Sequence, residues 1–422
     1  MPRGQQYPVG VVLQFIRLVI DCGTSLRCGS IVLGLIGQIT GDDEAAPHPS
    51  TVRIWLMRLG LAALTSPLAI AEDWVWIADH SIPIGQCKCL VILGIRLSRL
   101  PLGRPLAHRD MEPIALVPMI SSTKQAVAEC LERAVARTGV PRVILDDHGT
   151  DLHGGVEIFR QHHPETLEIY DIKHKAACLL RSRLERDPRW KEFTAHLGTT
   201  RMAIQQIELA GLTPPSPRTK ARFMNLESAV RWGRQTLELV DDPSGLGRLG
   251  MSADRVRAKL GWLVEFREAL VDWAGYHEVI GGALKFVRDR GLSPGGGEEL
   301  ADSLPVMKGA AAELRAELIE FVSSESSKAG PGEILPGTTE VLESCFDKLK
   351  GLEGEQSRSG FTGLVLSLGA MVSEWTAGEV AEALERCRVK DVVDWCRKKI
   401  GVTVQSQRKQ AYGHPKCASD PG

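Results

Sequence analysis

The chain has 422 residues, more than one ordinary core accommodates, so two or three domains are expected. With 43% hydrophobic and 24% charged residues it reads as folded, which excludes a disordered polypeptide. A formal net charge of −1 excludes a general polycation, so any surface for nucleic acid has to be a local one. Ten cysteines are scattered along the chain, and no secretory signal opens it, so reduced thiols in a cytoplasm are expected. Cys87 and Cys89 are one residue apart, and no second pair lies at zinc-ligand spacing. No apolar stretch approaches the roughly 20 residues that a membrane span needs.

In chain order, SLRCGSIVLGLIGQI (25–39) places Leu26, Val32, Leu33 and Ile36 at helical spacing. After GDDEAAPHP, a second helix is expected in STVRIWLMRLGL, capped by Ser50 and ended by Gly60. This pattern is compatible with a helix-turn-helix reader of DNA. From residue 73 the period changes. DWVWIAD, KCLVILGI (88–95) and EPIALVPMI (112–120) read as strands, the last weakened by two prolines. SSTKQAVAECLERAVARTG reads as a capped helix closing on Gly139. VPRVILDDHG is a fourth strand, GGVEIFRQ a helix, LEIYD (167–171) a fifth strand and KHKAACLLRSRLE a helix. The order predicts an α/β fold with a mixed sheet. From about 180 to 320 amphipathic helices take over, with Trp232, Trp262 and Trp273 expected in their core. SSESSKAGPGEILPG (323–337) reads as a linker. Helices resume in TTEVLESCFDKLK and in TAGEVAEALERCRVKDVVDWCRKK, which opens with the capping box Thr376 and Glu379.

The candidate chemistry lies in acids at strand ends: Asp79 after the first strand, Asp146 and Asp147 after the fourth, Asp171 after the fifth. In open α/β sheets ligands gather beyond strand ends. Carboxylates converging there suit Mg²⁺, a hard ion that takes oxygen ligands. Taken singly, each aspartate also fits an ordinary turn or helix cap.

Here the sequence resembles the RNase H-like core of DDE transposases from bacterial insertion sequences. WIADHSIPIGQCKCLVILGI is similar to the first catalytic strand and hairpin, and VPRVILDDHGTDLHGGVEIF to the second. DHGTDL matches the D-x-G-x-D-L form, which puts the second acid at Asp147. YDIKHKAACLL matches a D-x-x-H signature as Asp171 and His174. TTEVLESCFDKLK resembles the helix of the last acid, Glu343, with Glu340 as the alternative. The likeness runs from roughly residue 20 to 400.

The resemblance implies a five-stranded RNase H-like mixed sheet flanked by helices, an all-α insertion and an N-terminal helix-turn-helix-like region. The implied organisation is 1–68 for DNA binding, 69–180 for the first part of the core, 181–335 for the insertion, 336–405 for the last core helices and 406–422 for a flexible tail. It implies that Asp79, Asp147 and Glu343 hold two Mg²⁺ ions, with Mn²⁺ able to substitute. Strand cleavage would free a 3′-OH, which is then transferred to target DNA. Asp171, His174 and Lys350 take supporting places. Arg53, Arg58, Lys173, Lys175, Arg218, Lys220 and Arg222 are candidate DNA contacts, and Arg397, Lys398, Lys399, Arg408 and Lys409 form a further basic cluster. The implied partners are transposon ends, target DNA and a second copy of the chain in the DNA complex, in a cytoplasmic, nucleoid-associated setting. The chain departs from one subgroup, because Pro336 and Thr339 stand where that subgroup has Tyr and Arg before the acid. A transposase-derived DNA-binding protein without catalysis and an RNase H-like nuclease are the alternatives.

Overall fold

The computed structural model describes residues 6–41, 46–81, 88–216, 226–353 and 362–412. They fall into two units, one formed by Met1–Ile169 with Thr338–Gly422 and the other by Tyr170–Gly337.

The first unit begins with helices α1 (Val9–Ile20), α2 (Leu26–Thr40) and α3 (Pro49–Thr65). The hydroxyl of Ser25 caps α2 by accepting from the Cys28 amide at 3.1 Å, and α2 closes on Gly41 in the left-handed conformation. Helix α3 starts one residue before the expected Ser50. Its cap is His48, whose Nδ1 accepts from the Ser50 amide, and Pro49 occupies the first turn, where a missing N–H costs nothing.

A five-stranded mixed sheet follows, from β1 (Trp74–Ser81), β2 (Lys88–Arg96), β3 (Glu112–Met119), β4 (Val143–Asp146) and β5 (Leu167–Tyr170), in the order β3-β2-β1-β4-β5. β1 is antiparallel to β2 and parallel to β4. Pro113 and Pro118 are tolerated because β3 is the edge strand, where one row of amides needs no partner. β2 is buried continuously from Cys89 to Ile95, as a central strand covered on both faces should be. Helix α4 (Lys124–Thr138) is capped by Thr123 and closes on Gly139 at φ 84°; helix α5 (Thr150–His162) follows β4. Both cover one face of the sheet. Val127, Leu131, Leu152, Val156 and Phe159 pack there on Trp76, Ala78, Leu90, Ile92 and Ile144.

The second unit is helical: α6 (Ile172–Arg186), α7 (Pro188–Ile204), α8 (Leu226–Asp241), α9 (Ala253–Leu260), α10 (Arg267–Arg290), α11 (Gly296–Ser303) and α12 (Gly309–Ser326). Its centre is aromatic. Phe193 and Trp273, both fully buried, have ring centroids 5.0 Å apart, and Trp190 meets Trp273 edge-on at 5.1 Å. The expected core tryptophans are satisfied: Trp232 donates to Leu212 O, Trp262 to Thr200 Oγ1 and Trp273 to Asp187 Oδ2. The stretch 323–337 is not a linker. Its first residues complete α12, where buried Glu325 accepts from the Tyr170 amide at 3.1 Å, and Leu335 is fully buried in a backbone bridge to Leu292. A Ser/Gly/Pro composition says nothing of tertiary pairing, and here that pairing decides.

The chain then returns to the first unit with α13 (Glu340–Glu353), α14 (Ser367–Met371), α15 (Ala377–Arg386), α16 (Val389–Lys399) and α17 (Val404–Tyr412). The capping box of Thr376 and Glu379 opens α15. Helices α14, α15 and α16 pack on α3. Gly60 therefore does not end α3: a Cβ there would overlap the Leu366 carbonyl, and one on Gly369 would lie 2.6 Å from Gly60 O. Glycine serves close approach of two backbones instead of helix termination. From Thr51 to Leu64 no residue of α3 is exposed, so the helix expected to read DNA is a core helix. Among the described residues, no helix is long and apolar enough to cross a membrane.

Candidate functional site

The parallel register of β1 and β4 pairs Val75 with Val143, Trp76 with Ile144 and Ile77 with Leu145. Two residues further along each chain stand Asp79 and Asp147. Asp79 is on β1, facing away from Trp76 and Ala78, while Asp147 is the first residue past the end of β4. Helix α13 packs against β1 and carries Glu343 in its first turn. Its apolar stripe, Val341, Leu342, Cys345, Phe346 and Leu349, is buried, while Glu340 and Glu343 are half-buried. The hydroxyl of Ser344 meets Nε2 of His108 at 3.0 Å. The sheet and one helix thus bring the elements of Asp79, Asp147 and Glu343 together. Their carboxylate oxygens do not all lie within the 4.8 Å of one another that marks a tight ligand group.

Local bonds orient the two aspartates. Asp79 Oδ1 accepts from the His80 amide at 2.6 Å, and Asp147 Oδ1 accepts from the Gly149 amide at 2.9 Å. The second is an Asx turn that opens α5. Around them stands a polar set, of which sequence reasoning did not single out Ser122 or Lys88. His80 Nε2 meets Ser122 Oγ at 3.1 Å, and Lys88 pairs with Asp151 at 3.2 Å. Burial holds His80 below the usual histidine range; Asp151 and Asp147 pull the other way and Lys88 adds to the lowering. The Asp151 carboxyl sits below the usual carboxylate range. Burial works against that, but bonds from Ser122 and Lys88 outweigh it.

Asp146 points elsewhere. It is fully buried and accepts from the His148 amide at 2.6 Å. Burial pushes its carboxyl up to about 8, with the neighbouring acids Glu168 and Asp147 adding to the effect. Beside it, Glu168 is 6% exposed, and its Oε1 lies 2.6 Å from Nδ1 of His153 and 3.6 Å from Nε2 of His148. Among the described residues, His148, His153 and Glu168 are the group whose ligand atoms all fall within 4.8 Å. The repeated histidine in DHGTDLH was the available signal; Glu168, between Leu167 and Ile169 in a short strand, gave none.

The remaining candidates separate by burial. Asp171 is 1% exposed and caps α6 by accepting from the Lys173 amide at 2.9 Å. His174 is exposed, 6.2 Å from the Tyr170 ring, and Lys175 lies over Phe321. Lys173 is half-buried. Lys350 is exposed and pairs with Asp347 at 3.1 Å. Arg53 is half-buried on α3. Arg58 is a correction. It is 5% exposed, and its guanidinium donates to the carbonyls of Leu384 and of Cys387 (2.7 Å for the latter), closing the C-terminal end of α15 rather than meeting a phosphate. Arg218, Lys220, Arg222 and Cys87 lie outside the described residues. No family model matches the chain, and no curated protein matches it at a significant level.

Proposed function

We propose that the chain is a DDE-type transposase with an RNase H-like core, which cleaves DNA at transposon ends and joins the freed 3′-OH to target DNA. The observation that supports this reading is that Asp79 on β1 and Asp147 just past the end of the parallel neighbour β4 stand at the same end of the sheet, with α13, which bears Glu343, packed on β1. The strand order β3-β2-β1-β4-β5, with β2 antiparallel to its neighbours, supports the same reading.

An all-carboxylate set fits Mg²⁺ and not a softer metal. Two such ions, when bound, supply charge for the attacking and leaving oxygens of an in-line displacement. Asp79 is fixed by the sheet and Asp147 by the turn after β4, each with a bond from a nearby amide, so they hold ligand oxygens in place without shuttling protons. Glu343 closes the set from the helix, and half-burial of all three keeps the reacting phosphate accessible. Lys88 is the nearby cation on the β2 side, with its charge already shared by Asp151.

The test is nicking of a supercoiled plasmid that carries the DNA flanking the reading frame. Wild-type protein with Mg²⁺ is expected to cut at the element's ends, and Asp79→Asn, Asp147→Asn and Glu343→Gln to fall to the metal-free level with unchanged circular dichroism and unchanged binding to the ends. Wild-type rates in Glu343→Gln would remove that residue from the site. Cutting of RNA–DNA hybrid in preference to the ends would favour the nuclease reading.

A further inference from the structure

We propose that His148, His153 and Glu168 form a binding site for one Zn²⁺ ion. The site goes beyond the transposase reading and uses none of its three acids.

Two imidazole nitrogens and one carboxylate oxygen are a borderline-soft donor set of the kind that Zn²⁺ takes, with a fourth position left for water. The geometry is close to what the ion requires. Zinc bonds of about 2.1 Å at tetrahedral angles put ligand atoms about 3.4 Å apart. Glu168 Oε1 is 3.6 Å from Nε2 of His148 and 2.6 Å from Nδ1 of His153. The second distance is that of a hydrogen bond, so loading the ion needs one proton lost from that nitrogen and an opening of under about 1 Å. The imidazoles are stacked, with ring centroids 4.3 Å apart and planes 25° from one another, so loading the ion also needs one ring to rotate until both in-plane lone pairs face it.

Three features prepare the site. His148 holds φ at 55°, uncommon for a residue other than glycine, and its ring stacks on that of His153. His153 has Glu157 on its far side, Nε2 to Oε1 3.6 Å, one turn along α5. A carboxylate on that side favours the proton on Nε2 once Nδ1 has given up its own to bind a metal. Glu168 is itself buried, with Arg160 3.6 Å away. A buried carboxylate is costly without positive charge beside it, and a divalent cation supplies more of it. Bound zinc would tie the loop after β4, which carries Asp147, to strand β5.

The experiment titrates chelator-treated, full-length protein with Zn²⁺ against a chromophoric competitor. Wild type is expected to bind one equivalent. His153→Gln and Glu168→Gln should each weaken uptake at least about 100-fold, whereas Asp79→Asn with Glu343→Gln should leave it unchanged, which separates this site from the proposed catalytic one. Because the first two variants touch a buried pair, the wild-type protein loaded with Co²⁺ gives an independent reading. Visible ligand-field bands without a thiolate charge-transfer band support nitrogen and oxygen ligands. No uptake by wild type, uptake unchanged in both His153→Gln and Glu168→Gln, or a thiolate band from the cysteines would each overturn the site.

Discussion

Asp187 shows how far a single carboxylate can be committed to structure. It caps α7 by accepting from the Arg189 amide at 3.0 Å, takes two bonds from the Arg189 guanidinium and one from Trp273 Nε1 at 3.1 Å. Burial raises its pKa, but these bonds and the Arg189 charge win, and the carboxyl sits below its ordinary value. A depressed acid contributes stability that is present above the unfolded pKa of about 4 and is lost as pH falls through the folded one. Asn can still cap the helix but lacks the charge. Asp187→Asn should therefore melt below wild type at pH 7, and the difference should shrink as pH falls below about 4. A difference that stays constant with pH would mean that the charge does not matter. Asp171, buried as a cap, belongs to the same class. Its place after a strand gave the sequence no means of telling a cap from a ligand. Asp79 and Asp147 close apolar runs of the sequence whose pairing as parallel neighbours only the structure shows.

Among elements, strands β1, β2 and β4 were legible because a central strand is an unbroken apolar run, and β3 was legible despite two prolines, which its place at the sheet edge tolerates. Caps at Thr123 and Thr376 were legible from local chemistry alone. The extent of α3 was not. Its glycine looks like a C-cap from one sequence, and only the approach of α14 shows that Gly60 spaces two backbones. The role of Arg58 was hidden for the same reason, since its acceptors at Leu384 and Cys387 lie over three hundred residues away. Gly60→Ala is a sharp test of the contact. Alanine raises helix propensity by about 1 kcal/mol, so an unpacked helix would gain stability. Here the added methyl meets a backbone carbonyl that no rotamer change can move, and overpacking of this kind costs about 1–3 kcal/mol. A thermal melt should show a net loss. A gain would place α14 further away than the structure has it.

At the scale of the whole molecule, the chain builds two cores of different kinds. One joins apolar strands to helices through Trp76, Ile92 and Phe159; the other stacks Phe193, Trp190, Trp262 and Trp273 among helices only. Each unit buries its own apolar residues, and boundaries with that property usually separate parts that unfold independently. Calorimetry should then resolve two transitions. Phe193→Ala removes a fully buried ring, at a cost of about 3–5 kcal/mol, so it should lower one transition by roughly 10 °C and leave the other in place. Gly60→Ala should do the converse, by about 5 °C. The pair of variants separates two physical situations that a single melting curve confuses. If both transitions moved together in both variants, the units would share their cooperativity, and the strain at Gly60 would be felt by the aromatic core. If each moved alone, a variant at Asp79, Asp147 or Glu343, the acids proposed to hold metal, could be judged for folding by the transition of the sheet unit, with the helical unit as an internal reference in the same scan.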